Sequence, residues 1–205
     1  MTPLRRGRAR QSGTSMIEVL VSLLLIVLGL LGLLGLQLRI QQAEFESYQR
    51  VQALVLLYDM ANRIHAHHIT ASCFRVSNPD GTNWLGTGSS ATPACAVSNA
   101  NDNSMALSAI SEWQSLLLGA TETKSGVSVG AMLGGRGCVY YDATTVLLDP
   151  IGAPLPDTGL YTVAVTWQGA VDTFASTVNC ANGQYAGGET RRRVVSTTFR
   201  LAELK

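Results

Sequence analysis

The feature that most constrains this chain of 205 residues is an uncharged apolar run near its N-terminus. Residues 19–36 are all Val, Leu or Ile, apart from Ser22, Gly29, Gly32 and Gly35. A helix rises about 1.5 Å per residue, so the run would extend about 27 Å, close to the thickness of a bilayer's hydrocarbon core. The sequence therefore predicts a membrane-spanning helix over this run.

Charge is distributed unevenly around the run. Residues 1–13 contain four arginines and no acid, a charge of +4, and because the whole chain carries +1 the remainder carries −3. By the positive-inside rule, the N-terminus is expected in the cytoplasm and the rest of the chain outside. With 46% hydrophobic and 14% charged residues, collagen-like and disordered chains are excluded, and the mildly acidic body disfavours a nucleic-acid-binding domain.

An uncleaved signal anchor and an ordinary secretory signal peptide are the simplest interpretations of such a run. The second is disfavoured, because no small-x-small cleavage site closes the run and no cysteine stands there for lipidation. Both leave Glu18 unexplained, since a carboxylate at the edge of a membrane span costs up to about 3 kcal/mol and is usually paired. A place in the first helical turn, where the macrodipole favours an anion, explains only part of its presence.

The residues around Glu18 resemble the class III signal of type IV pilins and pseudopilins. That signal is a short basic leader ending in glycine, four mostly uncharged residues, a glutamate and a long apolar helix. The matching segment here is Gly13-Thr14-Ser15-Met16-Ile17-Glu18, followed by Val19-Leu20-Val21. The family usually has phenylalanine as its first mature residue, whereas this chain has Thr14.

The resemblance implies cleavage between Gly13 and Thr14 by a membrane-embedded prepilin peptidase, and N-methylation of Thr14. The apolar helix would then remain in the mature protein. In the family, the glutamate of an incoming subunit pairs with the N-terminal amine of a neighbour as helices bundle. The resemblance therefore gives Glu18 the role of an assembly salt bridge, which lipid and helices would shield from screening.

The helix is expected to continue beyond the span, because no proline occurs between Pro3 and Pro79. A helix from Thr14 to His67 would contain 54 residues and extend about 80 Å. Its second half is amphipathic, and one apolar face is predicted to pack on a globular head: Val51, Leu54, Val55, Tyr58 and Ala61. Acid-first pairs spaced by four residues are predicted on the solvent side, Glu46 with Arg50 and Asp59 with Arg63.

Four cysteines follow the helix, at Cys73, Cys95, Cys138 and Cys180. In a domain outside the cytoplasm they predict two disulfides, for which the sequence allows three connectivities. We favour Cys73–Cys95 and Cys138–Cys180, because each pair closes a local or sheet-length loop. A metal site is disfavoured, since no C-x-x-C pair is present.

The remainder predicts a helix and an antiparallel sheet. A second helix is expected to start at Asn103 or Ser104 and to stop at Gly119. Strands are expected over 139–143, 145–148, 161–168 and 193–201, of which 161–168 alternates as a half-buried strand does. The expected class is α+β, and a long N-terminal helix packed on a C-terminal antiparallel sheet is the pilin architecture. The segments 137–141 and 161–167 and the last strand also resemble minor pilins of the PilV type.

The predicted organisation has four parts. A cytoplasmic leader occupies residues 1–13, the transmembrane or fibre-core half of the helix 14–36, its amphipathic half 37–68, and a disulfide-stapled periplasmic head 69–205.

Three histidines cluster at His65, His67 and His68, of which the first and last share a helix face. No acid or cysteine in the neighbouring turns completes a metal site. Histidines near a helix C-terminus complement its dipole, which is the favoured interpretation, and no metal or cofactor is expected.

Two sequence segments resemble catalytic or cofactor-binding motifs, and both interpretations are rejected. Residues 126–130 match the G-x-S-x-G nucleophile elbow around Ser128, but its triad needs a downstream histidine and all three histidines are upstream. Residues 86–91 imitate a dinucleotide loop without a strand and helix around it.

The only basic run of the mature chain is Arg191, Arg192 and Arg193. Consecutive strand residues face opposite ways, so the three do not form one patch. A guard of an edge strand against aggregation is the favoured interpretation, and DNA binding the minor alternative.

The resemblance implies a non-enzymatic minor pilin that primes type IV pilus assembly and is incorporated at or near the pilus tip. It would lie in the inner membrane with a periplasmic head, and later in the extracellular pilus. Expected partners are other minor pilins, the major pilin, the prepilin peptidase and the assembly platform, with a tip adhesin as a further candidate; nucleic acid is not expected. A pseudopilin of type II secretion and a membrane-anchored periplasmic hydrolase are the alternatives.

Overall fold

A single α-helix, α1, covers Met16–Ala66 and contains 51 residues. The structure is a computed structural model that describes residues 13, 15–120, 123–125, 127–128 and 132–201. The chain forms two compact units, Met1–Glu44 and Phe45–Lys205. The N-terminal part of α1 is long and apolar enough to cross a membrane. The long helix is therefore confirmed over nearly its predicted length.

The second unit combines helices with a four-stranded antiparallel sheet, so the α+β class is confirmed. A 3-10 helix, His68–Phe74, and a second α-helix, α2 (Ala100–Leu117), follow α1. The strands are, in chain order, β1 (Leu85–Gly86), β2 (Thr123–Lys124), β3 (Val127–Ser128), β4 (Arg136–Asp142), β5 (Leu160–Gln168) and β6 (Arg192–Arg200). The main sheet has the order β1-β4-β5-β6, and β2 and β3 form a second, two-stranded sheet. Short 3-10 helices occupy Ala143–Thr145 and Glu189–Arg191.

The face of α1 that the structure buries coincides only in part with the predicted one, since Ala61 is buried and Leu54 packs against the core. Val51, Val55 and Tyr58 are each more than half exposed. The buried positions belong to a neighbouring stripe that also steps by three and four: Gln49, Ala53, Leu57, Met60 and Ile64, with Ala61 beside it. The predicted stripe and the buried stripe both have helical spacing. The buried stripe contains Ala53, whose small side chain lies in the core.

The main core is built from α1, α2 and one face of the sheet. Trp113 of α2 is fully buried, and its indole Nε1 donates to the carbonyl oxygen of Leu56 in α1 at 2.8 Å. The six-membered ring of Trp113 lies over Gly137 of β4, where only a glycine leaves room. This contact joins both helices to the sheet.

The start of α2 lies one turn before the predicted position. Asn99 is the N-cap, and its side chain accepts from the backbone N–H of Asp102 at 2.9 Å. Asn103, the predicted cap, instead accepts from the backbone N–H groups of Val97 and Ser98 and so holds the preceding loop. Gly119 follows the helix with φ +81, as expected of a C-terminal stop.

One predicted strand is absent, and the predicted burial of another is wrong. The segment 145–148 is not a strand, because the Asp142 carboxylate accepts from the Thr144 N–H and turns the chain into a 3-10 helix. The half-buried description of β5 fails because Ala164 and Thr166 on its second face are also fully buried. A smaller apolar cluster covers that second face: Cys138, Ala164, Cys180, Ala181 and Tyr185.

Both disulfides have the favoured connectivity. Cys73–Cys95 links the 3-10 helix after α1 to the loop before α2, across 22 positions of sequence. Cys138–Cys180 links β4 to the β5–β6 connection, across 42 positions. Loops of this length imply a stabilisation of about 3 to 4 kcal/mol each in the chain-entropy account.

The close approach of Trp113 to Gly137 generates a stability prediction. We expect Gly137→Ala to lower the free energy of unfolding by at least about 2 kcal/mol, because a Cβ would overlap the indole ring. Gly183→Asn is the control, since Gly183 has φ +72 with open space around its Cα and Asn tolerates that conformation. Urea unfolding measures both, and equal losses would contradict the packing account.

Candidate functional site

The predicted processing and assembly residues are close in sequence to the start of α1. Gly13 is exposed, whereas Thr14 lies outside the described residues. Glu18 is in the first helical turn, where its backbone N–H donates to the carbonyl oxygen of Ser15 at 2.9 Å. Its side chain is exposed, and it has no ion-pair partner in the described part of the chain. The assembly role of Glu18 therefore stays a prediction, with a carboxylate that is open to an external partner.

The apolar residues after Glu18 are not covered by the described part of the chain. Leu24, Leu31 and Leu36 are each 59% exposed, and none of the most apolar 18-residue window of α1 is buried. Each large aliphatic side chain moved out of water is worth about 1.5–3 kcal/mol. This surface is therefore suited to lipid or to the apolar surfaces of other helices.

An ion pair ties the other half of α1 to the edge strand of the sheet. Arg193 of β6 donates through Nε to the Glu46 carboxylate at 2.5 Å. The same guanidinium donates to the carbonyl oxygen of Val171 and to the hydroxyl of Thr173 in the β5–β6 connection. The Glu46 and Arg193 side chains are 27% and 12% exposed, so water screens the pair only in part.

A second polar junction joins α1 to α2. Arg63 donates to Asp59 on its own helix at 2.7 Å, as predicted, and to Glu112 of α2 at 2.9 Å. It also donates to the carbonyl oxygen of Ala109 at 3.2 Å. The other predicted helical pair is wrong, because Glu46 bonds to the sheet rather than to Arg50.

The basic run is neither an exposed guard nor a patch. Arg191 pairs with Asp172 at 3.0 Å, and Arg192, with a side chain only 1% exposed, pairs with Glu189 at 2.5 Å. Arg193 is committed to Glu46. Each guanidinium has its own carboxylate, two of them in the β5–β6 connection and one in α1, so the run holds the edge strand, that connection and α1 together.

The histidines pack on aromatic rings. The ring of His65 lies 4.6 Å from that of Phe199, and the ring of His67 lies 5.8 Å from that of Phe74. Within the ranges that the structure describes, no three metal-ligating side chains come together.

The two lookalike motifs have no catalytic frame in the described residues. Ser128 belongs to the two-residue strand β3, while Gly126, Val129 and Gly130 lie outside those residues. Gly86 ends β1, and the next helix along the chain begins only at Ala100. Among the described residues, the element that follows β3 along the chain is strand β4 rather than a helix.

Comparison with known proteins identifies no relative. No protein-family model, curated protein or solved structure matches the chain. The site is therefore argued from the residues alone.

Sequence reasoning missed the role of Glu46. Its spacing to Arg50 fits a helical pair, and a partner 147 positions away leaves no periodic signal. One weak signal was present in the sequence. Three consecutive arginines need acidic partners, and Glu46 is one of the acids that could supply one.

The helix-to-sheet ion pair should be measurable by a double-mutant cycle. Glu46→Gln and Arg193→Lys are each expected to destabilise the second unit, with a coupling energy of about 1–2 kcal/mol in urea unfolding. Glu44→Gln with Arg193→Lys is the matched control, because Glu44 forms none of the ion pairs in the described residues. Zero coupling between Glu46 and Arg193 would show that the pair does not tie the helix to the sheet.

Proposed function

We propose that this chain is a minor pilin of the PilV type, which primes type IV pilus assembly and enters the fibre at or near its tip. The proposal has no catalytic step. The protein would act by joining other minor pilins and the major pilin on the assembly platform of the inner membrane, and a tip adhesin is a further proposed partner.

One observation carries the proposal. A single helix, Met16–Ala66, has an uncovered apolar N-terminal part and a C-terminal part whose buried face belongs to the core with the antiparallel sheet. A signal anchor needs only the first part. A fibre subunit needs both, because one length of helix must bundle with other helices while the other length carries a folded head.

The start of the helix supports the same proposal. Glu18 is exposed and lies directly before the apolar surface, so a neighbour's N-terminal amine could reach it in a helix bundle. In an apolar bundle a charge left unpaired is costly, which favours the axial register in which the pair forms. The four arginines of the leader support a cytoplasmic N-terminus and a periplasmic head.

Processing of the leader is the first test. We expect the intact mass of the membrane-extracted protein to correspond to residues 14–205, with one added methyl group on the Thr14 amine. Gly13→Leu is the control, because the resemblance implies that cleavage follows the glycine, and it should leave residues 1–13 attached. A wild-type protein that retains residues 1–13 would overturn the proposal.

The assembly role of Glu18 is the second test. We expect Glu18→Gln to be processed normally but to be incorporated into sheared pili at least about tenfold less, because the amide cannot form the ion pair. Glu44→Gln, an exposed acid later on the same helix, should be incorporated like the wild type. Immunoblots of sheared fibres measure both, and normal incorporation of Glu18→Gln would contradict the pairing.

A null strain separates the proposed pilus from type II secretion, which uses the same kind of leader and helix. Loss of surface pili with normal exoprotein secretion is the expected result. Loss of secreted exoproteins with normal pili would instead assign the chain to the secretion system.

A further inference from the structure

Among the described residues, the second face of the main sheet holds two buried guanidinium groups, of which one is paired with a carboxylate. Arg192 is 2% exposed and pairs with Glu189. Arg136, at the start of β4, is 9% exposed and has no carboxylate within ion-pair distance in the described residues. One guanidinium is therefore buried on this face without a counter-charge among the described residues.

The surroundings of Arg136 satisfy only part of its hydrogen-bonding capacity. Its Nη1 donates to the carbonyl oxygen of Gly134 at 3.2 Å, and its guanidinium carbon lies 4.7 Å from the ring centre of Tyr185. The ring of Trp84 is farther away, at 6.0 Å. The Nε of Arg136 is also buried, and it has no acceptor among the described residues. An unpaired buried donor on a charged group is costly, so this arrangement calls for an acceptor.

The same surroundings are largely withdrawn from solvent. Burial is the largest influence on the Tyr185 phenol, and it raises the pKa of that group even though Arg136 and Arg192 both act in the opposite direction. The Tyr185 hydroxyl lies 2.6 Å from that of Thr166, opposite Arg136 in the sheet, so it is already bonded. Trp84 and Gly134, which border the guanidinium, are both partly exposed. An anion that reaches the guanidinium there would interact with it with little screening.

We propose that Arg136, bordered by Trp84 and Tyr185, is a binding site for a carboxylate ligand. A carboxylate matches the planar fork of a guanidinium and supplies the acceptor that Nε lacks. It also balances the second buried cation of this face, as Glu189 balances Arg192. The carboxylate comes either from a small organic acid or from another protein chain, and the site does not depend on the assembly role proposed above.

Arginine side-chain NMR tests the site directly on the full chain in detergent micelles. The Nε–H resonance of Arg136 is assigned by its loss in Arg136→Lys. We expect a saturable displacement of this resonance with sodium acetate, and half-saturation at least tenfold lower than with sodium chloride at matched ionic strength. The Arg192 resonance should not move, because Glu189 already occupies that guanidinium. No displacement, or the same displacement with chloride, would overturn the proposal.

Two peptide arms identify the source of the carboxylate. N-acetyl-dialanine presents the chain-terminal carboxylate of a protein, and its amide is the neutral control. Half-saturation at least tenfold below that of acetate supports a protein chain as the source, and equal values support a small organic acid. Equal displacement by the amide would overturn the carboxylate assignment.

Ligand-linked stability gives a readout that does not depend on the resonance assignment. Acetate should raise the urea midpoint of the wild type, and this increment should vanish in Arg136→Met. Arg200→Met is the matched control, because Arg200 also has no ion pair in the described part of the chain but donates to the carbonyl oxygens of Thr145 and Thr158. The increment should persist in Arg200→Met whatever its basal stability. An unchanged increment in Arg136→Met would overturn the proposal.

Discussion

The uncovered apolar surface of residues 19–36 is the constraint on which the rest of the structure depends. Large aliphatic side chains along this length are exposed, and each would gain about 1.5–3 kcal/mol on leaving water. Such a surface is unfavourable in water and is suited to burial in lipid or against other helices. The α-helix is the fitting conformation, because it satisfies its own backbone hydrogen bonds where no water is available.

The same helix must also hold a folded unit, and here polar contacts add to apolar packing. Trp113 bonds to the backbone of α1, while Arg193 and Arg63 join α1 to the β6 edge strand and to α2. These bonds fix which face of the helix is buried, since each one reaches a particular side of it. Apolar packing alone would accept either of the two stripes.

How far the sequence predicts this structure depends on the range of each interaction. The long helix, β5 and β6 and the stop at Gly119 follow from local periodicity and backbone preference, and the structure confirms them. The buried face of α1 and the partner of Glu46 depend on contacts distant in sequence, which no local pattern encodes. The cap of α2 was missed because several residues of the same polar type precede that helix, and only tertiary contacts distinguish Asn99 from Asn103.

The functional residues also differ in how far the sequence alone predicts them. Glu18 is conspicuous because a charge is rare next to a long apolar run, whereas Arg136 has no sequence signal at all. A charged residue at the start of a strand is ordinary, and only the absence of a nearby carboxylate in the described residues makes it unusual.

The central claim is that the apolar part of α1 is buried in lipid or among other helices. Spin labels introduced along α1 in liposomes test this claim most directly. A label at Leu24 should be accessible to oxygen and shielded from a water-soluble nickel complex. A label at Tyr58 should be accessible to the nickel complex and less accessible to oxygen. A water-accessible label at Leu24 would contradict the account.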